Sequence, residues 1–162
     1  MQKSLDRNNT VIYQKNYPYF SKKKSTKAFQ ATLGIGGNLG DVPRRFNHLF
    51  VALQRSAVLD IVETSPILKN PPFGYLEQDD FHNALVIVKT CLRPKALLRY
   101  ILHIEKKFGR KRSFPDAPRT LDIDMIFYEN VEMQTKELTV PHPHWKSRTS
   151  VVIPLTYIKT KI

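Results

Sequence analysis

Cysteine is nearly absent from this chain: Cys91 is the only one. An internal disulfide is therefore excluded, the fold must be held by packing, and a cytoplasmic location is expected. Cys91 itself closes the apolar run NALVIVKTC and reads as a small buried hydrophobe. Long apolar runs are missing too. None approaches the ~20 residues that cross a bilayer, so no membrane partner is expected. The N-terminus carries charge without an apolar block behind it, so no secretory leader is expected either. Acidic residues are scarce, 14 against 26 basic ones, for a net charge of +12. A basic body suits nucleic acid, an anionic surface or a small polyanion such as ATP, and charge alone does not choose among them.

Several nucleotide and hydrolase signatures are absent. The glycine-rich stretch LGIGGNLGD lacks the Gly-Lys-Ser/Thr of a P-loop. Its Gly34 and Gly36 fit the first two positions of a dinucleotide fingerprint, but Leu39 breaks the third, which leaves a tight strand-to-helix turn as the plain reading. There is no Gly-x-Ser-x-Gly elbow, and serines such as Ser65 have no recognisable base, so covalent catalysis is unsupported. His142 and His144 in PHPH have neither a cysteine nor a third histidine near them in sequence, which argues against zinc.

What is present suits one domain of 162 residues with 41% hydrophobic content. Residues 1–28 form a basic extension: Lys3, Arg7, Lys15, Lys22, Lys23, Lys24 and Lys27 face Asp6 alone, with Tyr13, Tyr17, Tyr19 and Phe20 scattered among them. No periodicity is visible there, so this segment reads as mobile or loosely docked, and residues 29–162 as the functional domain. FQATLGIG predicts a strand. Asp41 and Pro43 open a helix that runs to about Ser56. VLDIVETSPIL predicts one strand and FHNALVIVKT a central one, apolar on both faces. Leu97, Leu98, Ile101, Leu102, Ile104 and Phe108 recur at helical spacing after Pro94, with His48 and His103 on helices at the surface or the core edge. TLDIDMIFY is a strand, a turn falls at Glu129–Asn130, a short strand lies near Leu138–Val140, and PHPHWKSRTSVVIPL leads by a loop or short helix into a last strand element. The order implies an α+β fold, one sheet with helices packed on it.

The chemistry concentrates in PRTLDIDMIF. Residues two apart in a strand share a face, so Asp122 and Asp124 project together while Leu121, Ile123 and Met125 point the other way. Two such carboxylates repel unless a cation lies between them. One reading neutralises them with arginines. The other makes them a magnesium site whose remaining ligands come from substrate phosphates, with Arg110, Arg112 and Arg119 supplying forks for phosphate oxygens. Asn83, an amide inside an apolar strand, must be hydrogen-bonded to backbone or to a flat heterocycle.

Taken together, LGIGGNLGD, ETSPILKNPPFG, DDFHNALV, IEKKFGRKR, APRTLDIDMIFY and LTVPHPHWKSR resemble the 6-hydroxymethyl-7,8-dihydropterin pyrophosphokinase family of folate biosynthesis, over about residues 31–155. That resemblance implies a ferredoxin-like α/β/α sandwich with an antiparallel-rich sheet. It also implies transfer of the diphosphate of ATP to the pterin hydroxymethyl oxygen with release of AMP. Asp122 and Asp124 match the two aspartates that hold two Mg²⁺ ions, and Arg110 and Arg119 match phosphate-contacting catalytic arginines. Arg112 matches a further arginine of a flexible loop. On the ATP side the resemblance also implies Glu105, Met125, Thr139, His142 and Arg148. On the pterin side it implies Asn70, Pro71, Pro72, Phe73, Phe81 and Asn83, with Phe81 stacking on the ring. A monomer or weak dimer is implied.

The family's Arg-Trp pair before Pro-Arg-Thr is missing from SFPDAPRT, and its second stacking aromatic falls on Ser150, for which Trp145 is the candidate replacement. A nucleic-acid-binding module of the same fold class would explain the basic tail. It would not explain paired aspartates on a central strand, and TLGIG and FHNALV lack the aromatic RNA-binding pattern, so no nucleic-acid partner is expected.

Overall fold

The structure, a computed structural model, describes residues 1–111 and 113–162. Three short strands come first: β1 (Gln2–Ser4), β2 (Thr10–Ile12) and β3 (Tyr19–Phe20). The long strand β4 (Phe29–Gly37) then turns at residues 38–41 into helix α1 (Val42–Gln54). The Asp41 carboxylate starts that helix by accepting the Arg44 N–H at 3.1 Å, one of the donors a first turn leaves without a partner. Val42, Phe46, Leu49, Phe50 and Leu53 recur along the helix at core-facing positions, and all are buried. Next come β5 (Leu59–Thr64), β6 (Ile67–Asn70), β7 (Phe81–Thr90), α2 (Pro94–Lys107) and β8 (Asp122–Tyr128). The hairpin β9 (Met133–Gln134) and β10 (Thr139–Val140), a 3-10 turn at Trp145–Ser147 and α3 (Thr149–Leu155) complete the chain.

Every strand pairing among the described residues is antiparallel. β4 lies between β7 and β8, while β5 and β6 share the far edge of β7. VLDIVETSPIL is therefore two strands rather than one. The break falls at Ser65–Pro66, where proline has no N–H for the ladder, and the Ser65 hydroxyl covers the gap by accepting the Leu85 N–H at 2.9 Å. Helices α1 and α2 cover one face, where Phe46, Leu49, Leu97 and Ile101 pack with Leu33, Ile35, Val86, Val88, Ile123 and Met125. α3 packs on the opposite face, with Val151 against Leu85 and Ile126. The fold is thus α+β, an eight-stranded antiparallel sheet with helices on both sides, beside the separate β9–β10 hairpin.

Two segments differ from the sequence reading. The basic extension is built into the sheet: β2 pairs with β6 and β3 with β5. Val11 and Tyr17 are buried, and the Tyr17 hydroxyl donates to the Phe46 carbonyl at 2.8 Å while its ring packs against Phe46 and Phe50. Strands of two or three residues carry too little alternation to be read, and aromatics taken for a solvated tail are its anchors. The run VVIPL, expected to be a strand for its β-branched residues, is helix α3. Val151 and Pro154, three apart, are its buried positions, which is helical spacing rather than alternation.

Cys91 is also exposed rather than buried. β7 ends at Thr90, whose hydroxyl donates to the Val58 carbonyl at 2.7 Å, so the cysteine falls one residue outside the core, in the turn before α2.

Buried Glu63 fastens the C-terminal segment. Its carboxylate accepts the Lys159 N–H at 2.8 Å, the Thr160 N–H at 2.8 Å and the Thr160 hydroxyl at 2.5 Å. Because bonds to a charged acceptor are the stronger kind, Glu63→Ala should lower unfolding free energy by about 2 kcal/mol, measured by denaturant titration.

Candidate active site

The floor of the cleft over β4 is bare backbone. On β4, Gly34 and Gly36 point to the face opposite α1 and α2, with Asp124 and Asp122 across on β8 and Leu85 and Asn83 across on β7. The register runs Asp122, Gly36, Asn83, Leu68 in one row, so the carboxylate and the amide flank a glycine. That glycine is required by space: a Cβ at Gly36 would lie 2.6 Å from Asn83 Oδ1. Strand β4 therefore includes all of FQATLGIG, as expected, and runs one residue further to Gly37, so the turn is residues 38–41. Above the floor opens a cleft of about 320 Å³ lined on one side by Asn70, Pro71, Phe73, Phe81 and Asn83 and on the other by Arg119, Asp122, Asp124 and Arg148.

The β8 register places the aspartates as alternation predicts. A bulge at Ile126, which has no partner between the Leu33–Met125 and Thr32–Phe127 pairs, turns Ile126 toward the cleft as well. Arg119 Nη1 lies 3.3 Å from Asp122, and Arg148 Nη1 only within 4.0 Å of Asp124. Asp124 keeps 41% of its side-chain surface open where it lines the cleft, and elsewhere it is packed. That burial, then the Asp122 charge, push its carboxyl up to about 7. Arg119 thus pairs with Asp122, while Asp124 is left with only the longer contact to Arg148. Among the described residues no cluster of three or more His, Cys, Asp or Glu could hold a metal. An ion here would draw two ligands from the aspartates and the rest from water and phosphate oxygens, which is what Mg²⁺ accepts.

Buried Glu105 holds this strand from behind: its Oε1 accepts the N–H of Ile123, the residue between the aspartates, at 2.7 Å. Arg110, whose N–H donates to the Glu105 carbonyl at 3.0 Å, sits just beyond α2. Arg119 is clamped by Asn38, a buried amide. Asn38 Oδ1 accepts the Arg119 N–H at 3.0 Å, and the Asn38 N–H donates to the Arg119 carbonyl at 3.0 Å. Its Nδ2 reaches across to Gln78 Oε1 at 2.8 Å and the Asp79 carbonyl at 3.0 Å, tying the loop between β6 and β7 to the arginine. The Arg119 guanidinium lies 5.0 Å over the Phe81 ring. Asn83 Nδ2 donates to Asn70 Oδ1 at 2.8 Å, so the amide of the apolar strand has its partner, and that partner is a side chain.

Some expected residues lie elsewhere. The Met125 side chain is in the core on the helix side of the sheet, so it does not share the cleft with the carboxylates. Thr139 belongs to β10, and neither it nor Pro72 lines the cleft. His142 stands beside it, its N–H donating to the Ile126 carbonyl at 2.8 Å and its Nδ1 accepting the His144 N–H at 3.2 Å. Burial, then the Arg148 charge, hold its imidazole below the usual range, so it is neutral at pH 7. Arg112 lies outside the described residues. Trp145 does not take the place left by Ser150: its ring packs edge-on against Phe127, 5.0 Å away, in a separate hollow. Sequence reasoning missed Asp116, His144, Ser147 and Thr149 as lining residues. Only His144 had a signal, as the second histidine of PHPH.

The sequence model of the family described as 7,8-dihydro-6-hydroxymethylpterin-pyrophosphokinase (HPPK) matches residues 32–160. Among curated proteins, the 2-amino-4-hydroxy-6-hydroxymethyldihydropteridine pyrophosphokinase of Helicobacter pylori is 37% identical, over 90% of this chain and 90% of its own. That of Campylobacter jejuni is 39% identical over 88% of this chain and 90% of its own, and that of Bacillus subtilis 34% over 79% and 77%. The first two matches are longer than residues 29–162 can supply, so each takes in part of the chain before residue 29.

Proposed function

The chain belongs to the 7,8-dihydro-6-hydroxymethylpterin-pyrophosphokinase family, and from that premise we propose that it transfers the diphosphate of ATP to 6-hydroxymethyl-7,8-dihydropterin, giving the pterin diphosphate and AMP. The observation that carries this reading is the row across the sheet. Asp122 and Asn83 flank Gly36 in one cleft, two strand spacings or about 10 Å apart. A phosphate-handling side and a heterocycle-binding side thus face each other over a floor with no side chain between them. The core order β4-α1-β5-β7-α2-β8, arranged β8-β4-β7-β5 across the sheet, supports the ferredoxin-like assignment. The family match over 32–160 supports residues 29–162 as the catalytic domain.

Asp122 and Asp124 would hold two Mg²⁺ ions. When bound, these neutralise the triphosphate and polarise the phosphorus under attack. The protein's own part is positioning. Glu105, through the Ile123 N–H, fixes the strand that carries both aspartates. Arg119, held by Asn38, presents its guanidinium between Asp122 and Phe81, where phosphate oxygens and the pterin meet. Arg148 extends the positive rim toward the leaving AMP, with His142 as a neutral hydrogen-bond donor beside it, and Arg110, just beyond α2, is the further phosphate contact. On the other side Asn83, oriented by Asn70, pairs with the amide-like edge of the pterin, and Phe81 with Pro71 and Phe73 covers the ring.

Incubation with Mg²⁺, ATP and 6-hydroxymethyl-7,8-dihydropterin tests this directly. AMP formed one-for-one with pterin diphosphate is the expected result. ADP in its place, or no turnover at all, would overturn the assignment.

A further inference from the structure

The N-terminal strands belong to no part of the chemistry described so far, yet they end one residue short of it. β2 pairs with β6 as Thr10 with Lys69, Val11 with Leu68 and Ile12 with Ile67. β6 pairs on its other side with β7 as Leu68 with Asn83, Lys69 with His82 and Asn70 with Phe81. Val11 therefore extends the row that runs through Leu68, Asn83 and Gly36 to Asp122, and both Val11 and Leu68 are 1% exposed. Asn70, the last residue of β6, is the side chain that orients the Asn83 amide.

We propose that the β1–β2 hairpin is a positioning element for the pterin side of the site: by pairing with β6 it fixes the register and rigidity of Asn70, and through it Asn83. This rests on the reading of Asn83 as the pterin-binding amide. Without β2, β6 is a four-residue edge strand that runs straight into the exposed loop 71–80, the kind of element that frays. With β2 it is an inner strand, hydrogen-bonded on both edges. The hairpin is in turn anchored to the body of the protein. Gln14 Nε2 donates to the Pro43 carbonyl at 2.9 Å, the Tyr17 hydroxyl to the Phe46 carbonyl at 2.8 Å, and the Thr64 hydroxyl to the Asn16 carbonyl at 2.5 Å. Tyr13 adds an edge contact with Tyr157, 6.5 Å between centroids. Such anchoring suits a wall that must stay in register, not a tail that binds polyanions with its lysines.

Coupling between two sites is reciprocal: if the hairpin supports pterin binding, pterin must stabilise the hairpin. Amide hydrogen exchange on the full chain, with pterin and a non-hydrolysable ATP analogue in Mg²⁺, reads this without any substitution. Residues 10–12 and 67–70 should exchange more slowly when pterin is added, and not when the nucleotide analogue is added alone. Slowing at 81–85 with none at 10–12 would sink the hairpin inference and leave the pterin reading standing. No slowing at 81–85 either would overturn both. The corresponding variant is Val11→Asp, which puts a charge into a buried position of β2. The KM for pterin should rise about tenfold while kcat and the KM for ATP stay within about twofold. A purely structural role would lower the melting temperature and kcat and leave the pterin KM unmoved.

Discussion

Replacing Asp122 or Asp124 by alanine should reduce diphosphoryl transfer by roughly 10³-fold or more, with the loss in kcat rather than in pterin affinity. The two carboxylates are the only acidic side chains of β8 and share one face of it, with Glu105 serving the strand from the other side. Removing either leaves a single carboxylate on that face of β8. Pterin binding should survive, because Asn83, Asn70 and Phe81 stand on β6 and β7 and keep their pairing. Single-turnover assays with AMP quantification, beside equilibrium titration of the pterin, separate the two effects. Wild-type-like turnover in either variant would remove the metal pair from the reaction.

The same pair makes an opposite prediction for stability. Burial, Asp122 and Glu105 push the Asp124 carboxyl up to about 7 against the pull of Arg148 and Arg119, whereas in the unfolded chain it titrates near 4. Between those values the folded state holds more protons than the unfolded one. Stability of the metal-free protein should therefore fall as pH rises from about 4 to about 7. Asp124→Asn, neutral at every pH, should lose that slope and melt above the wild type at pH 8 without Mg²⁺, while losing activity. Wild type should gain melting temperature from Mg²⁺ and the variant little. A metal-free Asp124→Asn protein that melts below wild type at pH 8 would show that the pair is not under repulsion.

How far the sequence foretold this depends on the length scale of each signal. α1, α2, β4, β7 and β8 run for seven residues or more, and their apolar periods identified them, as alternation in PRTLDIDMIF identified the shared face of Asp122 and Asp124. What was not legible was either too short or non-local. β1, β2 and β3 have two or three residues each, so their place in the sheet is decided by partners far along the chain. The bulge at Ile126 follows from pairing with β4, not from any residue type in β8. Asn38 looked like a turn residue, and nothing in NLGD says that its amide bridges Arg119, Gln78 and Asp79. Gly34 and Gly36 did carry a signal. Glycines two apart on a predicted strand mark a face with no side chains, but they were weighed only against phosphate-loop patterns, in which spacing along a turn is what counts.

The neighbouring glycines should therefore respond very differently to one added methyl group. At Gly36 the nearest atom to a Cβ is Asn83 Oδ1 at 2.6 Å, the end of a side chain that can rotate away. Gly36→Ala should fold, displace the Asn83 amide from Asn70, and raise the pterin KM while leaving ATP binding intact. At Gly37 the obstacle is backbone: a Cβ would sit 2.5 Å from the Thr120 carbonyl oxygen, 3.2 Å from its carbon and 3.4 Å from the Arg119 carbonyl. No rotamer relieves that contact. The 119–120 segment must retreat, and with it go the hydrogen bonds from the Asn38 and Leu39 N–H groups to the Arg119 carbonyl and from Arg45 to the Thr120 carbonyl. Arg119 belongs to that segment and Asp122 lies two residues beyond it, so the displacement reaches the side of the cleft proposed for the phosphates. Gly37→Ala should cost about 1–3 kcal/mol of stability and lower kcat by about 10²-fold, since a shift near 1 Å in a positioned group is enough for that. Denaturant titration and steady-state kinetics on both variants decide it. Equal effects from the two substitutions would mean that the close approach at Gly37 does not set the position of Arg119 and Asp122.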